Sequence, residues 1–168
     1  NAVHGPVSAP TSYLAKYLAE TSLARRATLA ALDQMDTALG RVLAALDAQG
    51  IASNTLVVFF GDNGGQASTG GSNWPLRGDK GDLFDGGIHT PAAIRWPGVL
   101  PSGVTNCQQC LWVGDWFPTL CTAAGVTSLN THAFDGVDMW PLLLTATNGA
   151  FNPSTYRGVP LLAGSSAG

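Results

Sequence analysis

Charge is scarce in this sequence: 11% of its 168 residues are Asp, Glu, Lys or Arg, and the net charge is -3. Nothing in it forms a basic stripe, so nothing favours a nucleic-acid or anionic-membrane partner. Long hydrophobic runs are missing too. No stretch reaches the roughly eighteen apolar residues of a membrane-spanning helix. The opening residues, NAVHGPVSAP, lack a Met start, a basic segment and an apolar leader core, and the chain reads as an internal piece of a protein. Asn-x-Ser/Thr acceptor sites are absent, which leaves the compartment undecided. Cysteine is limited to Cys107, Cys110 and Cys121, an odd number, so at least one has no partner within the chain. CQQC has redox or zinc spacing but lacks the second pair of ligands a structural zinc needs. A local disulfide and simple packing remain open for it. Equally absent are a Gly-x-Ser-x-Gly elbow, a Walker-type phosphate loop, a His-Glu-x-x-His zinc helix and an EF-hand loop.

What is present is apolar: 45% hydrophobic content over this length suits a single well-buried globular domain. Thr21 or Ser22 can cap a helix running to Gly50, because Leu29, Leu32, Met35, Leu39, Val42, Leu43 and Leu46 recur at three- and four-residue steps. NTLVVFF follows directly and, unbroken by polar residues, predicts a strand covered on both faces. Helix followed by buried strand points to an α/β sheet. Residues 61 to 90 then carry nine glycines and little periodicity. A connection so long within a compact domain is uncommon unless it is functional. TPAAIRWPG predicts a second short strand. VGDWFPTLCTAAG predicts a helix with Asp115 near its start, Pro118 in its first turn and Gly125 at its end. FDGVDMWPLLL reads as a turn into a short apolar segment, and YRGVPLLAG as one further strand.

Ligands in open α/β sheets gather beyond the carboxyl ends of strands, which is where Asp62 and Asn63 fall. A carboxylate and an amide carbonyl are hard oxygen donors suited to calcium or magnesium, although two donors do not complete a shell of about six or more. The alternative is an Asx-type turn in which both side chains bond their own loop. Lys80 lies in PLRGDKGDLFDGG among Asp79, Asp82 and Asp85. It could offset an anionic substrate oxygen or form a solvated ion pair. His4, His89 and His132 are not paired by spacing, and a lone histidine near a terminus is an ordinary surface residue.

The order of these signals resembles the type I, formylglycine-dependent sulfatases, and within them the arylsulfatase B-like branch. The likeness is carried by VHGP (3–6), DQMDTALGRVLAALDAQG (33–50), NTLVVFFGDNGG (54–65), GGSNWPLRGDKGDLFDGGIHTPAAIRWPG (70–98), GDWFPTL (114–120) and FDGVDMWPLL (134–143). The resemblance implies an alkaline phosphatase-like α/β fold in partial form. Residues 1–150 would be the C-terminal half of the catalytic domain, and 151–168 the start of a small C-terminal subdomain. By the same resemblance Asp62 and Asn63 are calcium ligands, while Lys80 and His4 contact the sulfate or the leaving oxygen and serve catalysis. His89 is not carried over.

The resemblance further implies hydrolysis of a sulfate monoester, from a sulfated small molecule or a sulfated glycan, in a secreted or lysosomal setting. A phosphoesterase or phosphonate hydrolase of the same superfamily, and a non-catalytic binder of metal or sulfated glycan, are the alternatives. One departure is plain. The formylglycine nucleophile arises from a Cys or Ser in a Cys/Ser-x-Pro-Ser/Ala-x-Arg sequence, and no cysteine or serine of this chain stands in one. This chain therefore reads as roughly half an active site, inactive alone.

Overall fold

The computed structural model describes residues 3–105, 110–126 and 135–148. Contacts group the chain into two compact units, Asn1–Ile94 and Arg95–Gly168. The first holds α1 (Thr11–Leu14), α2 (Leu23–Ala48), β1 (Val57–Phe60) and α3 (Asp85–Ile88), with β2 (Ala92–Arg95) at its end. The second holds α4 (Trp116–Ala123) and α5 (Trp140–Leu144).

The main helix forms where its capping residues place it. Ser22 Oγ accepts from Arg25 N at 3.3 Å, satisfying one of the free donors of the first turn. At the other end Ile51 N donates to Leu46 O (3.1 Å) and Gly50 N to Asp47 O (3.0 Å). That pair is a Schellman closure, and Gly50 supplies its left-handed residue with φ 67°. Lys16 Nζ and Tyr17 Oη both reach Asp33 Oδ2, at 2.9 and 3.2 Å, and tie the segment after α1 to α2. Further along the chain, Arg25 Nη1 donates to Gly70 O (2.8 Å) and Thr28 Oγ1 to Thr69 O (2.6 Å). The start of α2 is thus an anchor for the glycine-rich loop.

β1 and β2 form a two-stranded sheet. Gly61 N, just past β1, donates to Pro91 O, just before β2, so the strands run antiparallel. The expectation that β1 is covered on both faces does not hold: Phe59 is 36% and Phe60 45% exposed. With one neighbouring strand among the described residues, both aromatic side chains stay partly exposed. The buried core is correspondingly small. Among the described residues its hydrophobic members are Ala30, Ala31, Ala52 and Trp140, fewer than the apolar composition suggested.

Asp115 organises the second unit. Its carboxylate is fully buried and accepts from Trp112 N (2.9 Å) and Val137 N (2.8 Å). Thr119, also fully buried, accepts from Met139 N at 2.9 Å, and Thr122 Oγ1 donates to Asp138 Oδ2 at 2.8 Å. α4 so holds the turn leading to α5, where Trp140 packs against Trp96 with ring centroids 5.8 Å apart. Pro118 is accommodated in the first turn of α4, and Gly125 follows the helix with φ 76°, both as expected. The strand predicted in YRGVPLLAG, His132, Cys107 and the 151–168 subdomain boundary lie outside the described residues.

Candidate active site

The loop from 61 to 90 is cross-linked to itself. Gly64 N donates to Gly87 O (2.8 Å), Lys80 N to Gly65 O (3.2 Å) and Gly86 N to Arg77 O (2.6 Å). Asn73 adds three bonds: Oδ1 accepts from Gly65 N (2.7 Å), and Nδ2 donates to Gly65 O (2.9 Å) and Gly78 O (3.1 Å). Asp79 accepts from Ala67 N through both carboxylate oxygens at 3.0 Å. Two short elements, a 3₁₀ turn at Ala67–Thr69 and α3, interrupt what reads in sequence as an unstructured stretch.

Glycine is required at two of these crossings. A Cβ on Gly64 would overlap Gly86 O and lie 2.8 Å from Gly86 C. A Cβ on Gly87 would overlap Asp82 O and lie 2.6 Å from Asp79 O. Each is a place where backbone meets backbone with no space for a side chain.

Asp62 and Asn63 follow β1 as the sequence implied, the first exposed and the second half-buried. Asp62 Oδ1 accepts from Asn63 N (3.0 Å), and Asn63 Nδ2 donates to Gly64 O (2.8 Å). The local turn is therefore real. It occupies one carboxylate oxygen and the amide N–H, leaving Asp62 Oδ2 and Asn63 Oδ1 as oxygen donors. These fit part of a hard-cation shell by their chemistry. Among the described residues no three His, Cys, Asp or Glu side chains are gathered closely enough to hold a metal.

Lys80 is exposed, and among the described residues its ammonium has no ion-pair partner; the ion pair present is Lys16–Asp33. Its main chain is fixed, since Lys80 N donates to Asp79 Oδ1 (2.9 Å) as well as to Gly65 O. His4 is exposed, with Nδ1 2.9 Å from Gly5 O. A carbonyl only accepts, so Nδ1 carries the proton and Nε2 is the outward-acting nitrogen. The His4 segment borders the same loop: a Cβ on Gly5 would lie 3.7 Å from Thr69 Cγ2.

An open cleft of about 390 Å³ lies in this first unit, with Asn63, Gly64, Gln66, Ser72, Asn73 and His89 in its wall. Asn63 is the sole member of the sequence-derived set that lines it; His4, Asp62 and Lys80 do not. Asn73 and the other cleft residues, apart from Asn63 and the histidine His89, were not singled out from sequence. The available signal for Asn73 was an amide, with Asn63 and Gln66 one of three, in a segment with nine glycines, where backbone groups lack regular partners and a side chain that donates and accepts can serve them.

Comparison with known proteins identifies the class. The family described as Sulfatase matches residues 1–126, and the chain belongs to the sulfatase family. Mouse arylsulfatase J is 37% identical over 139 residues, covering 83% of this chain and 23% of that protein. Mouse N-acetylgalactosamine-6-sulfatase is 33% identical over 167 residues, or 97% of this chain and 31% of that protein. Among solved structures, Ps i-CgsB in complex with k-i-k-neocarrahexaose superposes with a TM-score of 0.81 at 30% identity, over 88% of this chain and 33% of that one. The PsFucS1 sulfatase from Pseudoalteromonas sp. gives a TM-score of 0.61 at 28% identity, over 74% of this chain and 26% of that one. The chain thus spans about a quarter to a third of these relatives' length. The fold is part of a sulfatase fold, with more helix than strand among the described residues.

Proposed function

We propose that this chain contributes one side of the active site of a sulfuric ester hydrolase. The observation carrying this reading is the bond from Lys80 N to Gly65 O. It ties the main chain of Lys80 to Gly65, two residues after Asn63 and three after Asp62, whose side chains are oxygen donors.

Asp62 and Asn63 would hold a calcium ion, which when bound supplies divalent positive charge to sulfate oxygens. The Lys80 ammonium neutralises a sulfate oxygen, and its long stem lets it adjust to the oxygen's position. His4 donates from Nε2 when protonated, towards the leaving oxygen on which negative charge develops. The closed loop fixes the backbone that carries Asn63 and Lys80. In this reading the nucleophile is a formylglycine from a Cys or Ser motif that the 168 residues do not contain. The chain by itself is then inactive, and its substrates are sulfate esters of small molecules or glycans.

The test is hydrolysis of a chromogenic aryl sulfate, with and without calcium, by a sulfatase that joins this chain to the nucleophile motif. Lys80→Ala is expected to lower kcat/KM by about 100-fold or more, as loss of one charge-stabilising donor does. Activity that is indifferent to calcium and to Lys80 would overturn the reading.

A further inference from the structure

We propose that Asp79 is the positioning residue for Lys80: its carboxylate ties the turn that carries the lysine to the segment that follows Asp62 and Asn63. The inference rests on the proposed sulfatase reading, in which Lys80 meets a sulfate oxygen, and it adds the residue that sets where the lysine's stem begins.

In the sequence Asp79 is one acid of three around Lys80, with Asp82 and Asp85, and any of them could pair with the ammonium. Asp79 is used differently. Both its oxygens accept from Ala67 N at 3.0 Å, and Oδ1 also accepts from Lys80 N at 2.9 Å. One half-buried side chain so joins the main chain four residues after Asn63 to the main chain of Lys80 itself. Lys80 N has a second acceptor in Gly65 O at 3.2 Å, so one tie runs through backbone and one through Asp79. The carboxylate tie is the shorter, and its charged acceptor makes it the stronger.

Asp79 is itself held in place. Its N–H donates to Asp82 Oδ2 (2.9 Å), and its carbonyl accepts from Asp82 N (2.9 Å). The same carbonyl rests against Gly87, where an added Cβ would come within 2.6 Å of it. With its oxygens turned to two backbone N–H groups, the carboxylate makes no ion pair with the neighbouring ammonium; the pair present among the described residues is Lys16–Asp33. The acid thus fixes the base of the lysine without pairing with its tip. An amide could do this only in part, because it has one acceptor oxygen and its NH₂ would meet Ala67 N–H donor to donor.

The experiment follows hydrolysis of 4-nitrophenyl sulfate by a sulfatase that joins this chain to the nucleophile motif. It compares Asp79→Ala, Asp79→Asn, Lys80→Ala and the Asp79→Ala/Lys80→Ala double variant. Asp79→Ala is expected to lower kcat/KM about five- to tenfold, the equivalent of one hydrogen bond, and Asp79→Asn by less. In the Lys80→Ala background the Asp79→Ala change is expected to cost nothing further, because it acts through the lysine. An equal loss in both backgrounds would mark Asp79 as merely structural and overturn the proposal, as would full activity in Asp79→Ala. Hydrogen exchange in the same proteins is read at the Lys80 and Ala67 amides. Protection there is expected to fall about five- to tenfold in Asp79→Ala and to be partly kept in Asp79→Asn. If no sulfate ester is hydrolysed, the sulfatase reading fails, and exchange alone decides the tie: unchanged protection at both amides would overturn it.

Discussion

Replacing Gly64 by Ala isolates the crossing that closes the loop. The new methyl would overlap Gly86 O and come within 2.9 Å of Gly87 Cα, and both contacts are backbone that no rotamer change can move. Gly64 has no positive φ, so the penalty is steric rather than conformational. Overpacking costs about 1–3 kcal/mol, and losing the Gly64 N to Gly87 O bond adds about 1 kcal/mol, for a total of about 2–4 kcal/mol. The loop opens before the helix does, so amide exchange at Lys80, held by Gly65 O, is the readout. Its protection is expected to fall by at least about 30-fold, the equivalent of the lower bound. Gly40→Ala is the matched control, because Gly40 lies within α2 with nothing inside 4 Å of an added Cβ. There the same substitution is expected to stabilise by about 0.5–1 kcal/mol through helix propensity. Unchanged Lys80 protection in Gly64→Ala would refute the idea that backbone contact closes the loop.

Asn73→Ala removes three loop bonds and is expected to cost about 2–3 kcal/mol in urea denaturation, with calcium affinity measured by titration calorimetry falling alongside. Asp115→Ala leaves the part-buried Trp112 N and Val137 N without their carboxylate partner, and a loss of about 1–3 kcal/mol is expected from chemical unfolding of the second unit. The Lys16 hydrogen bond holds the Asp33 carboxyl below its ordinary 3.8, and the same bond raises Lys16 above 10.5. The pair's contribution is thus present above pH 3.8 and fades as pH falls through the lower folded value of Asp33. On the alkaline side it is complete below pH 10.5 and fades as pH rises through the higher folded value of Lys16. Carboxyl NMR titration of Lys16→Met is expected to return Asp33 to the usual range, with almost no change in stability because the pair is exposed.

Signals confined to a few neighbouring residues were legible in the sequence. Ser22, Gly50 and the leucine spacing marked α2 because a cap and a period are local, and the Ser22 and Schellman bonds appear where they were expected. Pro118 and Gly125 marked α4 for the same reason. The apolar run 57–60 marked a strand but misjudged its cover, because burial depends on which surfaces are seated over it, and composition does not record that. The loop's internal order was invisible. It depends on bonds such as Asn73 to Gly78 and Asp79 to Ala67, whose partners are set by the return of the chain rather than by any period. The glycine-rich connection read as functional by its length; the immediate role of its glycines at Gly64 and Gly87 is to let one backbone segment rest on another.

That difference bears on how a cation would bind. A site whose loop is ordered by its metal loses binding free energy to the ordering of each residue, at about 1–2 kcal/mol per backbone unit. Here the segment from Asn63 to Gly65 is already held by Gly87, Asn73 and the Lys80 turn through protein bonds alone. Binding through Asp62 and Asn63 therefore carries little ordering cost, and affinity is governed by the number and charge of the oxygens supplied. Two donors with a single carboxylate make a weak site, so the 168-residue chain is expected to bind calcium only in the millimolar range, with few changes in loop amide exchange on addition of the ion. Large new protection across 61–90 on calcium addition would show instead that the ion, not the backbone crossings, builds the loop.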